Sequence, residues 1–290
     1  MRISIVALAA VLTLPGMPAR KGPAYVAGVP ARKGAADVAS QPDQTLRVCA
    51  DPNNLPFSNA RGDGFENRLA EMIAADTGSR VSYTWWAQRR GFIRNTLNAA
   101  ECDVVIGVPT RLENVETTRP YYRSTYVFIA PRRRHLGLTS FDDPRLRRLR
   151  IGVQMVGDDF ANTPPAQALS ARGVVQNVVG YSVVGDYSQP NPPARIVEAV
   201  ARGDIDAAVV WGPLAGYFAA RQPIPLDLTP VSPQADSPNR PFVFDMSMAV
   251  RRGDDARRKA LDSFIVRHRG AIDRLLDGYG VPRVSSRGGV

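Results

Sequence analysis

The chain has 290 residues, which is enough for one large hydrophobic core or two smaller ones. It carries 37 basic and 27 acidic residues, a formal net charge of +10, and all but three of the basic residues are Arg. Biased codon usage and an acidic protein partner explain this excess equally well. With two His a three-His zinc site is excluded, and neither a nucleic-acid-binding motif nor a catalytic motif is visible.

The first 40 residues are predicted to be a secretory signal followed by a linker. Arg2 precedes an uncharged apolar run over residues 3–14, far shorter than the ~20 apolar residues of a membrane-spanning helix. The rest of the segment is rich in Gly, Pro and Ala and is expected to be disordered. We therefore expect a periplasmic protein with no membrane span after signal removal. The alternative is a buried N-terminal helix, and the cleavage site stays open.

Residues 41–129 alternate between predicted strands and helices. The helix over 65–75 is the best supported, because Phe65, Leu69 and Met72 share one face and Gly78 is placed to end it. Strands are predicted at 46–50, 81–86, 103–108 and 126–130, and a second helix at 91–99.

The same alternation continues to the C-terminus. Strands are predicted at 150–155, 174–179, 205–211 and 242–250, helices at 165–172, 193–202, 214–220 and 254–276, and a Pro-rich loop at 223–241. The chain thus crosses between two lobes near Ile129 and again near Phe244. This predicts lobe 1 at 41–129 plus 245–290 and lobe 2 at 130–244, with a hinge between them.

The order of these elements resembles the type II periplasmic binding proteins. That fold is α/β and two-lobed, and each lobe is a mixed, mostly parallel sheet flanked by helices. Here the first strand ends in residues 51–57 and the third in residues 109–111. Ligands of the fold lie at the carboxyl ends of the strands, so these loops are the expected site.

Several segments together resemble a narrower family. They are CADPNNLPFSN (49–59), GFEN (64–67), YTWWAQRRGF (83–92), CDVVIGVP (102–109), VVWGPLAGY (209–217) and FDMSM (244–248). The joint pattern, over about 46–283, is similar to the quinoprotein dehydrogenase-associated solute-binding proteins, the J proteins of methanol oxidation clusters. The resemblance implies an accessory role in maturing or activating a PQQ-dependent methanol dehydrogenase of the calcium or the lanthanide type. The implied partner is that dehydrogenase, alone or with its cytochrome, and no cofactor is predicted for the chain itself.

A disulfide between Cys49 and Cys102 is expected, because an exported protein matures where disulfides persist. In the type II fold the first and third strands are parallel neighbours, so a bridge between them is geometrically allowed. It would close a loop of about 50 residues, worth roughly 3–4 kcal/mol in the chain-entropy model. The alternative is two buried free thiols.

Amino-acid-binding members of the fold hold their ligand by three groups, of which this chain retains one. Arg111 matches the Arg that pairs with the ligand's α-carboxylate. Asp158 and Asp159 stand where hydroxyl residues would bind the same carboxylate, and Trp211 stands where an Asp would bind the ammonium. We therefore expect a ligand other than a standard amino acid.

The predicted cleft is aromatic and polar. Its candidate ligand- or partner-binding residues are Asp51, Asn53, Asn54, Phe57, Trp85, Arg111, Asp158, Trp211 and Tyr217. Simpler explanations stay open, namely core packing for Trp85, an ion pair with Glu113 or Asp51 for Arg111, and helix capping for Asp158. No catalytic or metal-binding residue is predicted, so the chain is not expected to be an enzyme.

Two functions remain. The first is the accessory protein described above, for which the Arg runs at 132–134 and 145–150 offer a docking face for an acidic dehydrogenase or cytochrome. Such runs are more often merely solvated. The second is a periplasmic solute receptor of an ABC transporter for a ligand other than a standard amino acid.

Overall fold

The computed structural model describes residues 44–155, 162–182 and 187–285. These described residues form one compact unit. Within the described ranges, no helix has the length and apolar character needed to cross a bilayer. The predicted signal and linker lie outside the described residues, as does Asp158.

The elements follow the predicted alternation. The first part contains β1 (Thr45–Ala50), β2 (Asn53–Asn54), β3 (Ser58–Asn59), α1 (Phe65–Thr77), β4 (Arg80–Trp85), α2 (Phe92–Asn95), β5 (Val105–Pro109), β6 (Glu116–Thr117) and β7 (Tyr122–Pro131). The second contains β8 (Ile151–Met155), α3 (Pro164–Ala171), β9 (Val178–Ser182), α4 (Arg195–Arg202), β10 (Ala207–Trp211), α5 (Gly212–Ala219), β11 (Leu226–Pro230), β12 (Ala235–Ser237), β13 (Arg240–Pro241), β14 (Val243–Val250), α6 (Asp255–Arg267) and α7 (Arg269–Gly278).

Two long strands join the halves of the molecule. The main sheet has the order β5-β14-β7-β10-β8-β9, with β11 also on β7, and β1 pairs in parallel with β4. The start of β7 pairs with β14, for example Thr125 with Val243, and its end pairs with β10, for example Ile129 with Ala208. We call β4, β1, β5, β14 and residues 122–125 the first strand group, and residues 126–131, β10, β8, β9 and β11 the second. The predicted crossings near Ile129 and Phe244 fall inside β7 and β14, while the lobe boundaries stay a prediction.

Burial explains why β10 has no alternation in its sequence. Ala208 and Val210 pack into one hydrophobic cluster with α4 and α5, whereas Ala207 and Val209 pack into another on the opposite face. A strand covered on both faces needs apolar residues at every position. The run ends at Trp211, the first residue of β10 that is not buried.

The predicted disulfide is confirmed. Cys49 in β1 is bonded to Cys102, with 5.5 Å between their Cα atoms, and both residues are buried. The neighbouring backbone is also tied, because the Cys49 N–H donates to the Val104 carbonyl at 3.0 Å. The bridge therefore fixes β1 beside β5 just before the loop that carries Asp51.

Several elements differ from the predicted ones. The helix predicted at 91–99 is reduced to α2 (Phe92–Asn95), and the strand predicted at 126–130 extends to Tyr122–Pro131. β9 begins at Val178 rather than at 174, because the residues before it close α3, with the Val174 N–H donating to the Leu169 carbonyl at 3.0 Å. The predicted long C-terminal helix is divided into α6 and α7 at His268, whose ring contacts Asp76 of α1 at 2.8 Å. Part of the predicted Pro-rich loop forms β11, which continues the sheet beside the end of β7.

Candidate functional site

A cavity of about 560 Å³ lies between the two strand groups. Its residues sit at strand ends: Asp51 follows β1, Pro109 ends β5, and Trp211 ends β10. Gln154 of β8 and Thr163, which precedes α3, complete the side formed by the second strand group. The position agrees with the rule that α/β sheets bind ligands beyond the carboxyl ends of their strands.

One wall of the cavity consists of three aromatic rings from three strands. The Trp211 ring packs edge-to-face on Tyr126 and Phe244, with centroid distances of 5.3 and 5.8 Å. Tyr126 and Phe244 are 6.4 Å apart in the same manner. Desolvation raises the pKa of the Tyr126 hydroxyl above its usual range, so the wall carries no charge at neutral pH. The three rings form an apolar surface with fixed geometry.

Among the described residues of the cavity lining Asp51 is the charged one, and it is only 5% exposed. Its Oδ1 accepts the N–H of Asn53 at 2.8 Å. Its Oδ2 accepts the N–H of Gln88 and the hydroxyl of Tyr187, each at 2.8 Å. All three donors are neutral, and no Arg, Lys or His among the described residues forms an ion pair with Asp51. The carboxyl group is thus held by neutral donors at the edge of an apolar cavity.

Gln154 supplies a second polar group in the lining. Its side-chain Oε1 accepts the Trp211 N–H at 2.7 Å, and its carbonyl accepts the Thr163 hydroxyl at 2.7 Å. Gln154 is 4% exposed, and its amide nitrogen has no hydrogen-bond partner within the described residues. An amide donor is therefore available to an occupant of the cavity.

The structure brings four of the predicted site residues together in the cavity lining. These are Asp51, Asn54, Phe57 and Trp211. Asn53 lies beside them, and its side-chain amide donates to the Gln189 carbonyl at 2.9 Å.

Two predicted aromatic residues lie elsewhere in the described structure. Trp85 stacks on Tyr83, with centroids 4.4 Å apart, and packs against the core of the first strand group. Tyr217 is buried in α5, where it stacks on Tyr279 at 5.7 Å. The side chains of Trp85 and Tyr217 therefore serve packing in this structure.

Arg111 is exposed and lies outside the main cavity. It follows β5 with a φ of +64° and borders a separate hollow with Thr110 and Asp245. Neither Glu113 nor Asp51 forms an ion pair with it in the described structure. The group expected to bind an α-carboxylate is thus not among the residues that line the cavity.

Sequence reasoning missed several lining residues. They are Gln88, Pro109, Leu112, Tyr126, Gln154, Thr163, Leu214, Phe244 and Met246. A usable signal existed for Tyr126 and Phe244, because both lie on the strands predicted to cross between lobes. Residues at such crossings border the cleft in any two-lobed arrangement.

The Arg-rich runs are largely used within the molecule. Each of four Arg is paired with an Asp of the same chain, yet their side chains stay 37–62% exposed, and such surface pairs contribute only about 0–1 kcal/mol, so the docking face stays a prediction. The pairs are Arg132–Asp227, Arg134–Asp206, Arg145–Asp143 and Arg150–Asp206.

Comparison with known proteins agrees with this architecture. Residues 46–281 match the family described as bacterial extracellular solute-binding proteins, family 3. The chain is 33% identical over 292 residues to the protein MoxJ of Methylorubrum extorquens strain AM1, covering 96% of this chain and 94% of that protein.

Two solved structures show the same fold. The periplasmic binding protein XoxJ from Methylobacterium extorquens AM1 superposes with a TM-score of 0.67 at 33% identity, covering 83% of this chain and 100% of that chain. MxaJ from Methlophaga aminisulfidivorans MPT gives a TM-score of 0.68 at 24% identity, with 82% and 100% covered. These similarities confirm the predicted periplasmic binding protein fold and the predicted resemblance to the J proteins.

Proposed function

Because the chain belongs to the bacterial extracellular solute-binding proteins, family 3, we propose that it is a periplasmic accessory protein for maturation or activation of a PQQ-dependent methanol dehydrogenase. The observation that carries the proposal is the similarity to MoxJ over 96% of the chain, together with the resemblance to the J proteins of methanol oxidation clusters. The residues of the cavity support a binding role for the protein and limit the chemical class of its ligand or partner.

The charge of the cavity argues against a free amino acid as its ligand. An α-carboxylate needs a cationic or multiple N–H partner, and no Arg, Lys or His is present among the described lining residues. The two internal segments outside the described residues, 156–161 and 183–186, contain no Arg, Lys or His in their sequence. Asp51 would repel an anion further. A ligand anchored by its carboxylate is therefore disfavoured.

The aromatic wall suits apolar side chains of a protein partner. Trp and Tyr are common anchors at protein interfaces because they bury large areas with little loss of conformational entropy. Trp211, Tyr126 and Phe244 offer such an area, and Gln154 and Asp51 add one available donor and one carboxylate beside it. We propose that an exposed segment of the dehydrogenase places an apolar side chain on this wall.

A solute receptor is the second candidate, and the size of the cavity favours it. About 560 Å³ lies within the range of small-molecule pockets. The ligand would be uncharged or cationic and would carry a flat apolar group. Such a receptor would serve a transporter and would act without the dehydrogenase.

Complementation in cells tests the accessory role. Cells that lack this protein should lose most of the activity of their PQQ-dependent methanol dehydrogenase in periplasmic extracts, and the wild-type gene should restore it. Trp211→Ala should fail to restore activity, whereas Trp86→Ala should succeed, since Trp86 is 41% exposed and outside the cavity lining. Full dehydrogenase activity without the protein would contradict the accessory role and favour the receptor.

A further inference from the structure

A segment of the second half of the chain reaches across to the loop after β1. The Tyr187 hydroxyl donates to Oδ2 of Asp51 at 2.8 Å. Two residues further on, the carbonyl of Gln189 accepts the side-chain amide of Asn53 at 2.9 Å. Each contact joins residues 136 positions apart in sequence. We call residues 187–189 the strap.

The strap lies at the edge of the cavity. Asp51 lines the cavity and is 5% exposed, whereas Tyr187 is 42% exposed. The hydroxyl end of Tyr187 is therefore inside, on the carboxylate, while much of the side chain faces solvent. This contact joins the segment that follows β9 of the second strand group to the loop that follows β1 of the first.

Tyr187 differs from the other donors to Asp51. The N–H groups of Asn53 and Gln88 come from the first strand group, to which Asp51 itself belongs, so they stay with the carboxylate when the halves separate. Tyr187 follows β9 of the second strand group and leaves the carboxylate in that movement. Burial and the contact with Asp51 raise the pKa of the Tyr187 hydroxyl, so it remains a protonated donor at neutral pH.

We propose that Tyr187 is an internal competitor for the cavity, held on Asp51 by the strap until an occupant takes its place. An incoming group that binds Asp51 must then be a hydrogen-bond donor, because it replaces a hydroxyl that donates. This inference rests on the cavity being the binding site, as proposed above, but not on the identity of the occupant.

Opening of the strap can be measured through a thiol placed in the cavity. Met246 lines the cavity, and both natural cysteines are held in the disulfide, so Met246→Cys provides a single reactive thiol. Met246 is half-buried, so the rate of alkylation by uncharged iodoacetamide, compared between variants, reports how accessible the cavity is. Removal of one charge-assisted hydrogen bond by Tyr187→Phe should raise this rate about tenfold. Tyr181→Phe on β9 is the matched control and should leave the rate unchanged, because the Tyr181 hydroxyl has no hydrogen-bond partner within the described residues.

The hydrogen bond between Asn53 and Gln189 allows an independent test. Asn53→Ala removes the bond to Gln189 and should also speed alkylation, and combining it with Tyr187→Phe should speed it further. An unchanged rate in the Tyr187→Phe variant would overturn the proposal, even if Asn53→Ala alone raised it. No partner is present in this experiment, so its outcome is independent of whether the dehydrogenase proposal holds.

Discussion

The backbone N–H of Trp211 donates to the side-chain Oε1 of Gln154 at 2.7 Å, which ties the end of β10 to the neighbouring end of β8. The two residues share the cavity, one as an aromatic surface and the other as a polar group. The bond holds the Trp211 backbone in place and at the same time orients the Gln154 amide. The apolar and polar parts of the site are therefore positioned by one contact.

Replacing the Gln154 acceptor should destabilise the fold. Gln154→Leu leaves the partly buried Trp211 N–H without its partner, which we expect to lower the free energy of unfolding by about 1–3 kcal/mol. Gln167→Leu, at an exposed position of α3, is the control and should change it by less than about 0.5 kcal/mol. Urea denaturation measures both. Equal stability of the Gln154→Leu and wild-type proteins would contradict the role given to this bond.

Glu66 should make stability depend on pH. Glu66 is buried in the first turn of α1 and packs against Gly107. The contact is so close that a Cβ added to Gly107 would lie 1.9 Å from the Oε1 of Glu66. Burial, with a smaller contribution from Asp51, raises its pKa from 4.5 to about 8. The folded protein therefore keeps a proton that the unfolded chain loses, and the free energy of unfolding should fall by a few kcal/mol as pH rises from about 4.5 to about 8.

Glu66→Gln tests this by removing the titration while preserving the shape of the side chain. In this variant the free energy of unfolding should fall much less as pH rises, and the variant should be more stable than wild type at pH 8. Glu113→Gln, at an exposed site, serves as the control and should keep the decline. Thermal melts between pH 5 and 8.5 are sufficient, and a Glu66→Gln variant with the wild-type slope would contradict burial as the cause.

Reduction of the disulfide should weaken the protein. Cys49 and Cys102 are separated by 53 positions, so cleaving the bond frees a long loop in the unfolded chain. We expect a loss of about 2–4 kcal/mol in the free energy of unfolding when dithiothreitol is added. The variant with Cys49→Ser and Cys102→Ser is the control, and its stability should not respond to dithiothreitol. Equal stability of oxidised and reduced wild-type protein would show that the bond does not constrain the fold.

Local sequence patterns were sufficient to predict some of the residues that line the cavity. Trp211 could be placed because it ends an apolar strand, and strand ends carry the ligands of this fold. The predicted crossing strands bring Tyr126 and Phe244 near the cleft, but the contact between their rings depends on the pairing of β7 with β14, where Thr125 lies opposite Val243, and no local pattern sets that register.

Tyr217 illustrates a different limit. Its position in α5 is evident from the sequence, yet its neighbour Tyr279 lies 62 positions further along the chain. Helical periodicity shows which residues share a face but not which distant segment covers that face. The same holds for the strap, since nothing in the residues around Asp51 indicates that Tyr187 will contact it.

The most direct test of the account is recovery of the partner by the tagged mature protein from the periplasm of methanol-grown cells. We predict that a PQQ-dependent methanol dehydrogenase is recovered with the wild-type protein and with Trp86→Ala, and at least tenfold less with Trp211→Ala at an unchanged melting temperature. Co-purification of a small molecule without any dehydrogenase would contradict the central claim and establish the cavity as a solute site.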